Sequence, residues 1–288
     1  MGHALARLVV RIVDAQSVWA RPLGDLLHRL LGAVFRPIRP VKDVLNGTWL
    51  GHPVHAATTD VPIGAFAVGI LLDLLDQRGA ADVALVVGVL AMVASAVTGL
   101  ADYSDTDGTA RVRATVHATL MTIGLVVYLV SLALRAGDPV DRTLPVVLGI
   151  VGFVVVTTGA WVGGDLVYLL GNMVNRHAFR GAGTRWVPLE LGEATLPEGV
   201  PTKVRAGANT LVLVRVGETV HALHDTCAHA GGPLSEGTLV DGCIECPWHG
   251  SRFRLADGHL VRGPAVYDQP AYEVRRTDAG GWEARRVR

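Results

Sequence analysis

The sequence predicts an α+β chain of two parts: an all-α four-helix transmembrane bundle followed by an all-β domain, an antiparallel β sandwich or barrel. Three observations carry this reading. Half of the 288 residues are hydrophobic and only 18% are charged, and the mean hydropathy of +0.37 is that of a membrane protein. The apolar residues gather into four long stretches in the first half. From Trp186 onward the pattern changes to short alternating runs such as Thr210–Arg215 and Ala271–Arg275, punctuated by Gly, Pro and Asp, which are strand and hairpin signals.

Residues 1–46 form a basic segment in which Arg7, Arg11, Arg21, Arg29, Arg36, Arg39 and Lys42 face only Asp14, Asp25 and Asp43. Its spacing of Leu8, Ile12 and Val13, then Leu23, Leu26, Leu27 and Leu30, predicts amphipathic helices at the membrane surface. No signal-peptide cleavage pattern is present. Within residues 47–175 the four apolar stretches run from about Val61 to Leu75, Val83 to Ala101, Ala114 to Leu134 and Leu144 to Leu170. Each suits a bilayer core that takes roughly 20 helical residues. Short polar turns at Asp76–Gly79, Asp102–Gly108 and Arg135–Arg142 predict antiparallel neighbours. Residues 176–185, with Gly181 and Gly183, read as a linker, and residues 186–288 as the β domain.

The basic N-terminal segment and Arg176, Arg180 and Arg185 after the last span outweigh Arg78, Arg135 and Arg142 in the opposite loops. The positive-inside rule therefore predicts a multi-pass plasma-membrane protein with its N-terminus and β domain in the cytoplasm. The lipid bilayer is its first partner. The 26 basic residues balance 26 acidic ones, which argues against nucleic acid.

Chemistry concentrates in two short motifs, Cys227-Ala228-His229 and Cys246-Pro247-Trp248-His249, with sixteen residues between His229 and Cys246. Together they offer two thiolates and two imidazoles in mirrored hairpin loops. Such a set suits a 2Fe-2S cluster with two Cys on one iron and two His on the other. Cys2His2 also suits zinc, but the flanking Gly231-Gly232-Pro233-Leu234 and Gly250-Ser251 favour the cluster. Cys243, three residues before Cys246, is read as a small buried side chain.

On these residues, with Gly263-Pro264 as a third loop, the segment from Trp186 to Arg288 resembles the Rieske family. The resemblance implies that Cys227 and Cys246 bind the inner iron and that His229 and His249 bind the outer iron near solvent. It places Gly231, Gly232, Pro233, Gly250, Ser251, Phe253 and Pro264 around the cluster. The disulfide of the cytochrome bc-type members is missing, because Gly232 and Trp248 occupy its positions. That departure resembles the ferredoxin-like type and a reducing compartment. Ser251 keeps a hydroxyl of the high-potential members, whereas Phe253 replaces a tyrosine, so an intermediate potential is expected.

The membrane half resembles an uncharacterised bacterial four-helix family with a Gly-His-Pro-x-His signature, here Gly51-His52-Pro53-Val54-His55, followed by Pro62-Ile63-Gly64; Gly163-Gly164-Asp165 near the fourth helix end fits as well. Members of that family are sometimes fused to Rieske domains. In the predicted topology His52, His55, Asp102, His117, Asp165 and His177 all fall on the cytoplasmic side. Ionisable groups at membrane depth are costly and often functional. Two readings stand: these residues bind haem b or a quinone, or they cap helix ends and pair with one another, Asp102 with Arg111 or Arg113.

The function expected is a membrane-anchored, ferredoxin-like one-electron carrier exchanging electrons with a quinone or another membrane partner. The alternatives are a quinol-linked oxidoreductase subunit with a haem or quinone site in the bundle, and a redox sensor or anchoring subunit. No catalytic residue is assigned. The redox donor, the acceptor and the oligomeric state are not encoded in any motif.

Overall fold

The computed structural model describes residues 2–178, 185–191, 196–278 and 280–287, with no side-chain description for residues 2–7 and 9. Arg7 in the basic segment, and Arg180, Gly181 and Gly183 in the expected linker, therefore fall outside what is described. The chain divides into two compact units, Met1–Leu45 with Val54–Asn172, and Asn46–Pro53 with Met173–Arg288.

The first unit is helical. Three helices, α1 (Gly2–Ala15), α2 (Ser17–Phe35) and α3 (Arg39–Asn46), precede a short α4 (Val54–Thr58) and four long helices, α5 (Asp60–Leu74), α6 (Arg78–Tyr103), α7 (Gly108–Arg135) and α8 (Thr143–Tyr168). Among the described residues four helical segments are long and apolar enough to cross a membrane, and α4 joins α5 in a first segment of Val54–Leu74. The first span thus starts earlier than its apolar run, because His55 and Asp60 belong to the helix. Side chains facing outward are apolar, among them Leu74, Val83, Leu90 and Val154. The inner faces use small residues for close approach: Gly69 lies against Leu85, Gly88 against Phe66, Gly124 against Val156 and Gly152 against Tyr128.

Charged residues close both ends of the bundle. At one end Arg135 donates to both carboxylate oxygens of Asp73 at 2.6 and 2.7 Å and to Asp82 at 3.1 Å, while Arg142 reaches Asp82 and Asp138. Asp73 is therefore a buried ion-pair partner, not the snorkelling or capping group its position near a helix end suggests. At the other end Arg113 bridges Asp14 and Asp165, Arg111 bonds Asp25, and Lys42 bonds Asp105 at 2.5 Å. Burial pushes the Lys42 ammonium down and the Asp105 carboxyl up, each opposed by the charge of the other. Helix α2 packs at this end through Ala20 and Gly24; a side chain at Gly24 would meet the Thr115 hydroxyl at 2.6 Å. Only the opposite face of α2, with Val18, Leu26 and Leu30, is exposed.

The second unit is built from β1 (Val187–Pro188), β2 (Thr202–Ala206), β3 (Asn209–Val216), β4 (Thr219–His224), β5 (Thr238–Val240), β6 (Cys243–Glu245), β7 (Arg252–Arg254), β8 (Leu260–Arg262), β9 (Ala271–Arg276) and β10 (Trp282–Arg286). One sheet has the order β1-β10-β9-β4-β3-β2 and the other β5-β6-β7-β8, with antiparallel pairing throughout. Strand β3 is buried on both faces over Leu211–Val214. Leu211 and Leu213 pack in one core with Val204 and Ala284, while Val212 and Val214 pack with Leu223, Ile244 and Phe253 in the core that also holds Cys227 and Cys246. The second cysteine-histidine loop joins β6 to β7 of the smaller sheet, and the first lies between β4 of the larger sheet and β5.

Candidate metal centre

The two motifs occupy loops with the same backbone geometry. In the first, the Cys227 amide donates to the Gly232 carbonyl and the Gly231 amide returns to the Cys227 carbonyl; in the second, Cys246 donates to Ser251 and Gly250 returns to Cys246. The fifth residue of each loop must turn with positive φ, +89° at Gly231 and +77° at Gly250, which favours glycine. This fold aims the amides of His229 and Ala230 at the Cys227 sulphur and those of Trp248 and His249 at the Cys246 sulphur. Amides so placed stabilise negative charge on sulphur.

Cys227 and Cys246 are buried, and their thiols are in hydrogen-bonding contact. That contact lowers Cys246 to about 7 against the opposing effect of burial, and it raises Cys227. The His229 and His249 rings stand 5.0 Å apart, centre to centre, with planes at 89°. Among the described residues no three His, Cys, Asp or Glu side chains converge on a single ion position. The two thiols and two imidazoles are thus divided into pairs, as a dinuclear cluster needs and tetrahedral zinc does not.

The neighbouring residues brace this arrangement. Gly232 is required by crowding: a side chain there would come within 2.9 Å of the Cys246 sulphur and of the Trp248 ring. The buried Ser251 hydroxyl accepts from the Ala265 amide at 3.0 Å, just after the cis peptide at Gly263–Pro264. Phe253 is fully buried in the core beneath the loops, and Pro233 precedes a 3-10 turn over Leu234–Glu236. His249 is half-buried, but His229 is only 7% exposed. Of the two imidazoles expected near solvent, one is therefore covered.

Three supporting residues have no signal in the motifs. Gln269, 1% exposed, donates to the carbonyls of His224 and Thr226 and accepts from the Ala228 amide. Arg262 donates to the Gly250 carbonyl at 2.8 Å and pairs with Glu245, beside Cys246. His177, expected at the end of the fourth span, belongs to this unit: α8 stops at Tyr168, and the His177 ring bonds the Thr226 carbonyl and packs 4.6 Å from His224. Cys243 is buried in β6, where burial raises its thiol.

The other membrane candidates separate. His52 lies in the Asn46–Pro53 segment grouped with the β unit, where Thr48 also bonds the Ala265 carbonyl. Asp102 is buried at the end of α6, and Asp165 is held by Arg113. Arg111 and Arg113 thus pair with Asp25, Asp14 and Asp165. His55 and His117 face one another across the bundle, 6.2 Å between ring centres.

Residues 186–273 match the Rieske 2Fe-2S domain family. The anthranilate 1,2-dioxygenase ferredoxin subunit of Burkholderia cepacia is 34% identical over 94 residues, which cover 85% of that protein and 32% of this one. The chain belongs to the Rieske family. The ferredoxin CarAc of Metapseudomonas resinovorans is 41% identical over 70 residues, 24% of this chain and 65% of its own length, so the likeness spans just under two thirds of it. Among solved structures, the ferredoxin of carbazole 1,9a-dioxygenase from Nocardioides aromaticivorans shares 31% identity over 32% of this chain and 92% of its own, with a TM-score of 0.30. Residues 51–176 match a predicted membrane protein family, DUF2231. This Rieske protein therefore combines a 2Fe-2S domain that has ferredoxin relatives with a predicted membrane domain.

Proposed function

We propose that this chain is a membrane-anchored one-electron carrier in which Cys227 and Cys246 hold the inner iron of the cluster and His229 and His249 the outer iron. The observation that carries the assignment is the pair of loops with matching backbone hydrogen bonds, each delivering its sulphur from the first position and an imidazole two or three residues later. The cluster, when bound, accepts and returns a single electron at a potential that two neutral imidazoles raise above that of an all-Cys cluster. The chain's own residues do the rest. Amides of His229, Ala230, Trp248 and His249 hold charge on the sulphurs, Gln269 and Arg262 fix the loops, and the half-buried His249 offers the edge through which a partner is met. A quinone or another membrane redox protein is the partner we favour, because the carrier is tied to apolar spans. Relatives named as dioxygenase ferredoxins make an oxygenase component the second candidate. The excess of arginines in the N-terminal segment supports a cytoplasmic carrier domain.

Electron paramagnetic resonance of reduced, full-length protein in membranes tests the ligand set. Cys227→Ser and His249→Ala should each abolish the native signal, and Cys243→Ser should keep it. A native signal in either ligand variant would overturn the assignment. Reduction by quinols against reduction through pyridine-nucleotide reductases then decides the partner.

A further inference from the structure

The bundle is built twice. Asp73 on α5 and Arg135 on α7 are 62 positions apart and bonded, and the same separation relates Phe66 to Tyr128 and His55 to His117. Each of these pairs meets: Phe66 stacks on Tyr128 at 3.7 Å, and His55 faces His117. The second helix of each half repeats as well. His55 bonds the carbonyl of Ser95, 40 positions on, and His117 that of Gly159, 42 positions on. Four residues further, Gly99 lies under the His55 ring and Gly163 under the His117 ring. Gly88 and Gly152 likewise seat Phe66 and Tyr128. Two helical hairpins of one design therefore pack around a pseudo-twofold axis, and the two histidines are its symmetric polar pair.

The histidine geometry is that of ligands. Each Nδ1 lies 2.8 Å from a backbone carbonyl, which can only accept, so the proton sits on Nδ1 and the Nε2 lone pair is free to bind a metal. Both rings are seated by a glycine where a side chain would come within 2.9 Å, so their orientation is fixed by packing. A metal between two imidazoles, with bonds of ~2 Å and roughly 1 Å more to each ring centre, sets the centres about 6 Å apart. The observed spacing is 6.2 Å with planes at 78°, and rotation about a shared axis leaves that angle free. Eleven residues along the same helices, the Phe66 and Tyr128 rings close to 3.7 Å. The wider gap belongs to the histidines.

Among the described residues no third His, Cys, Asp or Glu completes a mononuclear site. Two protein ligands suffice for a metal whose remaining positions a macrocycle already fills. Imidazole is a usual ligand of iron, and helical bundles hold such groups between facing helices. Both rings are half-buried, so the pair is not sealed against a planar group entering between them. We infer that His55 and His117 are the two axial ligands of a b-type haem on the pseudo-twofold axis, a second redox centre in the membrane unit.

The test uses full-length protein produced in cells supplied with a haem precursor, purified in detergent and titrated with hemin. The expected result is a low-spin, bis-histidyl spectrum with haem and protein in equal proportion. His55→Ala and His117→Ala should each lose it while the reduced Rieske signal persists, which separates this site from the carrier and shows that the chain still folds. His117→Met should keep haem and raise its potential, a response that a merely structural histidine would not give. His259→Ala, on the β unit, should change nothing. Failure to bind hemin with the Rieske signal intact, a haem spectrum that survives loss of both histidines, or stoichiometric metal without porphyrin would each overturn the inference.

Discussion

Phe66 and Tyr128 stack face to face at the centre of the bundle, 3.7 Å between ring centres with planes 9° apart, and both are fully buried. The Tyr128 hydroxyl is buried without a hydrogen-bond partner among the described residues. Removing that hydroxyl removes a desolvated polar group and leaves the stack, so Tyr128→Phe should hold or raise the thermal midpoint in detergent. Phe66→Ala opens a cavity on the axis and should lower stability by about 3 kcal/mol. A midpoint that falls with Tyr128→Phe would reveal a partner for the hydroxyl.

Arg135 and Asp73 are 2% and 3% exposed, so removing the arginine strands Asp73, whereas removing the Asp73 charge leaves Arg135 with Asp82 alone. Arg135→Ala should destabilise the protein by about 3–5 kcal/mol, and Asp73→Asn by less, since Asp82 still faces the arginine. The double variant Arg135→Met with Asp73→Leu should recover most of that loss, because the desolvation of both charges disappears with them. Thermal unfolding of the four proteins in one detergent is the measurement, and equal losses in single and double variants would show that the pair acts through packing alone.

The parts of this architecture legible in the sequence are those encoded locally. Four apolar stretches announce the spans, alternation announces β9 and a short apolar run announces β3, and the Cys-x-His and Cys-Pro-x-His spacings announce the cluster loops because each loop is self-contained. Gln269 and Arg262 escaped because they brace those loops across tens of residues, with no periodicity to mark them. The pairing of Asp73 with Arg135 has no local signal either, because it joins residues 62 positions apart on different helices. The duplication escaped too: its halves share few identities, His for His but Phe for Tyr and Asp for Arg, so it is visible only once equivalent positions touch.

His221, in β4, is partly buried, and burial lowers its imidazole below the ordinary value of 6.5. The folded state therefore binds this proton less readily than the unfolded chain. Its contribution is complete above the unfolded value and is lost as pH falls through that value toward the lowered folded one. His221→Gln should flatten this part of the acid-side decline. Comparing the pH dependence of the β unit's tryptophan-monitored unfolding midpoint in the two proteins isolates it, since all other histidines are shared; parallel curves would show that burial at this site is relieved in solution.

Gln269 ties the approach to the first loop to its own backbone, giving 2.6 and 2.7 Å bonds to the His224 and Thr226 carbonyls and taking a 2.9 Å bond from the Ala228 amide. The Thr226 carbonyl has His177 as a second donor at 2.8 Å, so Gln269→Leu leaves chiefly the His224 carbonyl and the Ala228 amide to find new partners. The cost should be on the order of 3 kcal/mol for two buried backbone groups. Because Ala228 lies between Cys227 and His229, the loop should loosen on the ligand side, and the cluster should be lost faster to a chelator than in the parent protein. Gln269→Glu keeps the acceptor for Ala228 but turns a negative oxygen toward two carbonyls, so its chelation rate should fall between the two. Indistinguishable rates for all three proteins would mean that the loop's own turn, fixed by Gly231, suffices to hold Cys227 and His229 in place.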